Sequence, residues 1–262
     1  MQEILDKQDL EKLENFIGYG REDAKIIFFD LEEAGGGLEN LKTRISIKEY
    51  KFLDCKRFHL DHFEHKKPYK LHSDNPDYKV NFQSVWKFMS YMMLRLDNVP
   101  NKQIFENNSI VLRNYQNNRL GTKNKDGETL LTEIFPIPCS NLKCWGTKDS
   151  DYTKIIPSYK SKTEYQTQVL DKRIEIFRNL LDSKKFSANA IICYGKTHWK
   201  EFKRFFKELD VEFEEKELSK NYQVGNLLNG KKVFLIPFLG NGQVSYKFLD
   251  ELVNEIRESY AT

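Results

Sequence analysis

The chain has 262 residues, 39% hydrophobic and 31% charged, with a formal net charge of +3. This length supports one large α/β domain or two small ones with a real core, and the charge excludes a bulk polycation. No apolar run approaches the ~18 residues of a membrane helix. The charged, amphipathic start (MQEILDKQDLEKLENF) is neither a signal nor a transit peptide, and the four cysteines form no CxxC pair, so a cytoplasmic protein with reduced thiols is expected.

In chain order, Ile4, Leu5, Leu10, Leu13 and Phe16 recur at helical spacing over residues 2–16. A first strand is predicted at 25–30 and a helix from 38 to 45. Residues 46–80 read as irregular, aromatic and basic, with Pro68 and Pro76. NFQSVWKFMSYMMLRL (81–96) is apolar nearly all round and predicts a buried helix. Residues 97–128, rich in Asn, Lys and Gly, read as loop with short elements. A second strand, TLLTEIF (129–135), is stopped by Pro136 and Pro138, and a long loop fills 139–160. A helix follows over about 163–183, then a third strand, ANAIICYG (188–195), passing straight into a helix. The turn signal Asn229–Gly230 precedes a fourth strand at 231–238, and a last helix spans 246–259. Strands alternating with helices predict a mostly parallel sheet covered on both faces, with no internal repeat.

The densest signal is KIIFFDLEEAGGG (25–37). An apolar strand stops at two carboxylates and three glycines, which puts Glu32 and Glu33 at the carboxyl edge of a strand, where open α/β sheets collect ligands. Such acids can activate water beside a closely held substrate, or simply cap the helix that starts near Leu38. Two basic stretches, Lys42 to Lys70 and KTHWKEFKRFFK (196–207), suit a phosphate backbone or a solvated helix face.

Four segments in this order resemble the uracil-DNA glycosylase superfamily. FIGYGREDAKIIFFDLEEAGG is similar to its first motif, TEIFPIP to its second strand and Pro-rich loop, AIICYGKTHWKEF to its third strand and following helix, and VFLIPFLGNGQVSYKFLDEL to its fourth strand, DNA-inserting loop and last helix. The resemblance runs from about residue 16 to 258 and implies a single domain over 1–262 with an insertion at about 46–128. It implies a three-layer α/β/α sandwich around a four-stranded parallel sheet in order 2-1-3-4. The sequence departs from the family in three places. No His stands in Pro237–Gly242, where the family's base-anion-stabilising His falls. Asp30 replaces the glycine usual before the first-motif acid, and the iron–sulfur cysteines of some branches are missing.

What the resemblance implies for the site is specific. Glu32 or Glu33 would orient water and stabilise an oxocarbenium-like sugar; the match of Glu33–Ala34–Gly35–Gly36 to a Glu-Ala-Pro-Gly form favours Glu33. Gly35 and Gly36 would bring backbone N–H groups to the substrate, Phe135 would stack on an extruded base, and Asn241 would contact base or phosphate. Phe238 or Leu239 would wedge into the stack on the loop carrying Gly240 and Gly242, with Lys196 at the DNA. Asn141 and Trp145 are weaker candidates. The function implied is hydrolysis of the N-glycosidic bond of a flipped uracil, damaged or modified base in DNA, in repair or anti-phage defence, with DNA as partner and no cofactor. The alternative is a catalytically inactive nucleic-acid or nucleotide-binding protein of the same fold. A third reading, a metal-dependent hydrolase, rests on His59, His62 and His65 in FHLDHFEHKK. Cys139 and Cys144 lack two further ligands for a zinc site.

Overall fold

A computed structural model of the chain describes residues 5–33, 38–62, 70–139, 145 and 152–259. Its frame is a mixed sheet with eight strands among the described residues: β1 (Gly18–Gly20), β2 (Ile26–Glu32), β3 (Phe52–Leu53), β4 (Thr129–Phe135), β5 (Ala190–Tyr194), β6 (Phe213–Glu217), β7 (Asn221–Asn226) and β8 (Lys232–Ile236). Their order across the sheet is β3-β1-β4-β2-β5-β8-β7-β6. The neighbours β4, β2, β5 and β8 pair in parallel, whereas β1 runs antiparallel to β4, and β7 and β6 continue from β8 as an antiparallel meander.

The expected four-stranded parallel sheet is therefore corrected to a larger mixed one. The additional strands were hidden for physical reasons. β1 is three residues long and two are glycines. A Cβ at Gly18 would fall 2.2 Å from the Leu131 carbonyl oxygen, and one at Gly20 2.0 Å from that of Thr129, so only glycine admits β4 so close. β6 (FEEKE) is almost wholly exposed and has no apolar run to announce it. The Asn229–Gly230 signal turns out to join β7 to β8, with Gly230 at φ +79°.

The helices are α1 (Lys7–Glu14), α2 (Leu38–Ser46), α3 (Cys55–His62), α4 (Ser84–Leu96), α5 (Asn101–Asn118), α6 (Tyr152–Ile155), α7 (Lys162–Leu181), α8 (Trp199–Lys207) and α9 (Tyr246–Glu258). Three of their starts are capped by side chains as follows: Ser161 accepts from the Glu164 N–H at the head of α7, Ser245 from Phe248 at α9 and Gln83 from Trp86 at α4. Helix α5 replaces the loop expected over 97–128. It is broken at Glu106–Ser109, where Asn107, Asn108 and Ser109 all take positive φ, and it holds its place by burying Ile104, Leu112 and Tyr115. None of the described helices is long and apolar enough to cross a membrane.

Period-two alternation along β2 divides the core. Ile27 and Phe29 join the cluster packed by α1, α7 and α8; Ile26 and Phe28 join the one packed by α4, α5 and α9. Because both faces are covered, the central strands are near-continuous apolar runs, which is why they were legible. Buried Arg173 of α7 ties the chain before β1 to the end of β4. It donates to the carbonyls of Glu14 at 3.0 Å, Phe16 at 2.6 Å, Glu133 at 2.8 Å and Ile134 at 2.9 Å.

Candidate active site at the carboxyl edge of the sheet

Strand β2 lies between β4 and β5, and the chain leaves it towards β4 before α7 carries it back across to β5. The carboxyl ends of β2 and β5 therefore flank a point where the winding reverses, the position at which open sheets form a ligand crevice. Asp30, Glu32, Glu33 and Tyr194 sit at these ends, and Phe238 follows β8.

Asp30 shares the face of Phe28 and stands opposite Glu133 in the β2–β4 register. It accepts from the Leu31 N–H at 2.7 Å and from the Tyr194 hydroxyl. Burial pushes its carboxyl up to about 6, against those two hydrogen bonds and with a smaller push from Glu32. Glu133 is buried too. Burial and the Glu33 charge hold its carboxyl well above the usual range, although Arg44 and Arg173 pull the other way. Burial thus brings Asp30 closer to neutral pH than an ordinary aspartate, the direction that acid–base chemistry requires.

Glu33 is held from two sides. It accepts from the Tyr19 hydroxyl at 3.1 Å and pairs with Arg44, a guanidinium on α2 only 3% exposed. Arg44 also donates to the Tyr19 hydroxyl at 2.8 Å and to Asn40 at 2.9 Å, and it lies 4.8 Å from the Phe16 ring centre and 5.2 Å from that of Phe58. Burial works against the Arg44 charge, but Glu33, Tyr19 and Glu133 outweigh it and keep the guanidinium charged. Glu32 pairs instead with Lys162 at the start of α7. Of the two predicted acids, Glu33 shares its surroundings with Glu133, Tyr194 and Tyr19, each pushed up first by burial and further by the Glu33 charge.

On the loop after β8, Phe238 is 42% exposed, with its ring centre 6.1 Å from that of Tyr194. Gly240 permits this: a Cβ there would fall 2.8 Å from the Phe238 ring, and the Gly240 N–H donates to the Phe238 carbonyl at 2.8 Å. Asn241 is exposed and accepts from Lys87 Nζ at 3.4 Å, and Gly242 closes the turn at φ +78°. Lys196 is exposed just past Gly195, its Nζ 5.5 Å from the Trp199 ring centre.

Two expected contacts are placed elsewhere. Leu239 is fully buried in the α9-side core and has no free surface to act as a wedge. Phe135 is 5% exposed and packs on Tyr165 at 6.0 Å, so its ring belongs to the core. Trp145 stacks on Tyr165 at 5.5 Å. Gly35, Gly36, His65, Asn141 and Cys144 lie outside the described residues.

Sequence reasoning missed Asp30 as a participant, although its sign was present: an acid on the inward-facing alternation of an otherwise apolar run. Tyr194 and Arg44 gave no comparable sign. A cavity of about 840 Å³, lined by Asp74, Tyr78, Arg113 and Arg119 among others, contains none of Asp30, Glu33, Tyr194 and Phe238. One set of potential metal ligands does converge among the described residues, namely Cys55, His59 and His72; it includes only one of the three predicted histidines. Compared with models of known families and with curated proteins, the chain matches none.

Proposed function

We propose that this chain hydrolyses the N-glycosidic bond of an extruded base in DNA, as a divergent uracil-DNA glycosylase-like enzyme of the cytoplasm. The observation that carries the reading is the line Asp30–Tyr194–Phe238 across the carboxyl edge of β2, β5 and β8. It brings together a carboxyl that titrates near neutral pH, a phenol bonded to it and an exposed ring. The parallel neighbours β4, β2, β5 and β8 support it, since they are the four strands on which the resemblance rests.

In this reading the extruded base stacks on Phe238, and Lys196 and Lys87 meet phosphate. Ionised Asp30 takes a proton from water as the oxygen bonds to the sugar C1′. The C1′–N bond breaks and its electron pair leaves on the base, which is protonated from solvent. Glu33, its charge met by Arg44, holds the Tyr19 hydroxyl in place rather than presenting a free anion to the cationic sugar.

A second reading, a nucleic-acid-binding protein without chemistry, is favoured by one observation: Glu33 spends its charge on buried Arg44 and Glu32 on half-buried Lys162. The test uses duplexes carrying uracil, hypoxanthine, hydroxymethylcytosine or glucosylated cytosine, followed by alkaline strand scission. Scission on at least one duplex is expected, reduced ~10²–10⁴-fold by Asp30→Asn. Salt-dependent duplex binding with no scission on any substrate would select the second reading.

A further inference from the structure

Helix α3 opens with Cys55 and carries His59 one turn later on the same face. The chain returns at His72 to the same spot. The Cys55 sulfur lies 3.7 Å from His59 Nδ1 and 4.0 Å from His72 Nε2, and the three donor atoms all fall within 4.8 Å of one another. Ligands about 2.3 Å (sulfur) and about 2.0–2.1 Å (nitrogen) from a tetrahedral zinc stand roughly 3.4–3.6 Å apart. The triangle therefore needs only a small contraction to close on an ion. His59 Nδ1 also faces the Cys55 carbonyl at 2.7 Å, a bond that metal binding would replace.

The surroundings suit a metal. Cys55 and His72 are fully buried, and the Trp86 ring lies 5.3 Å from His59 and 5.4 Å from His72. A thiolate with two imidazoles is a borderline-soft set that selects zinc over magnesium or calcium. Spacing alone pointed to His62 and His65 as the companions of His59; the fold substitutes a cysteine one turn earlier and a histidine from beyond the helix.

We propose that Cys55, His59 and His72 bind one zinc ion, with a water molecule as the fourth ligand. Cys55 releases its proton to solvent as the sulfur–zinc bond forms. The ion fastens the start of α3 to the chain at His72, behind Tyr19, whose ring is 5.9 Å from His59 and whose hydroxyl holds Glu33. It is thus a positioning element for the Glu33 wall, and it stands whether or not the chain cleaves a glycosidic bond.

The test uses the full chain. Elemental analysis after growth with zinc is expected to give one zinc per chain. Cobalt(II) added to chelator-stripped protein is expected to show tetrahedral d–d bands and a thiolate-to-cobalt charge-transfer band, lost in Cys55→Ala and His72→Ala and kept in His62→Ala. Because the alanine variants remove buried groups, melting of the unaltered chain provides a separate reading, expected to rise with zinc and fall with chelator. Absent stoichiometric zinc, an absent charge-transfer band or a melting temperature indifferent to zinc would overturn the proposal, as would loss of cobalt binding in His62→Ala.

Discussion

On one side of the sheet, Phe29 sits inside a shell of Phe177, Phe202, Phe205 and Phe206, with ring centres 4.9–6.0 Å away, and that surface of β2 carries only Ile27, Phe29 and Leu31. On the other side, one residue along, Phe28 leads to Asp30, and the neighbourhood fills with Glu133, Tyr194, Tyr19 and Arg44. The same strand thus contributes a dry aromatic core to one layer and buried titratable groups to the other. Apolar packing is non-directional and cheap to satisfy, whereas each buried charge needs a partner. The charges on the Phe28 side pair with one another at the carboxyl edge, whereas the buried charge on the other side, Arg173, is spent on four backbone carbonyls, so the layer that can do chemistry is largely separate from the layer that makes the chain stable.

Substitutions on the two faces should then differ in sign as well as size. The largest loss is expected for Phe29→Ala, about 3–5 kcal/mol of stability, read as a lower denaturant midpoint at unchanged slope. A loss near zero would mean that the aromatic layer is loosely packed. Next comes Arg44→Met, expected to cost about 2–3 kcal/mol because Glu33 and Glu133 lose their cation. Adding Glu33→Gln to it should restore part of that loss, a coupling measurable in a double-mutant cycle.

Asp30→Asn should do the opposite and stabilise by about 1–2 kcal/mol at pH 7, since it removes a charge whose burial is unfavourable. The sign follows from the protonation states. The carboxyl holds its proton up to about 6 in the folded chain and only to its ordinary 3.8 when unfolded. Between those values the folded chain binds more protons, so its stability falls as pH rises through this window and levels off above it. Denaturation across pH 3–8 should show that slope in the unaltered chain and lose it in Asp30→Asn. The smallest effect on stability, within about 1 kcal/mol, is expected for Phe238→Ala, whose side chain is 42% exposed on a surface loop. If that ring stacks on a base, the same variant should weaken single-stranded DNA binding by roughly 1–3 kcal/mol.

The dry layer was the legible one. IIFFD, AIICY and VFLI announce themselves as strands because both faces are covered, and α7 and α9 because their apolar residues recur at helical spacing. The polar layer was read less well, since its meaning lies in pairings across sequence. Glu33 stood out as a motif acid, but nothing local shows that Arg44 neutralises it or that Tyr19 returns to hold it. Asp30 looked like a departure from a pattern until the register set it beside Glu133 and Tyr194. Helix α5 was obscured by its asparagines, and β7 (NYQVGN) by an alternation too short to separate from loop.

A sheet of this width ends in two open rows of backbone donors and acceptors, each a template for another chain. Here one boundary is β3, only two residues long, and the other is β6, whose Glu214, Glu215, Lys216 and Glu217 are all exposed. A second copy approaching β6 would bring together two strands that each carry three glutamates and one lysine, and one approaching β3 would find too little backbone to pair with. The sheet is therefore closed to growth without being closed into a barrel, and concentrated protein should resist fibril formation at this edge until those charges are removed.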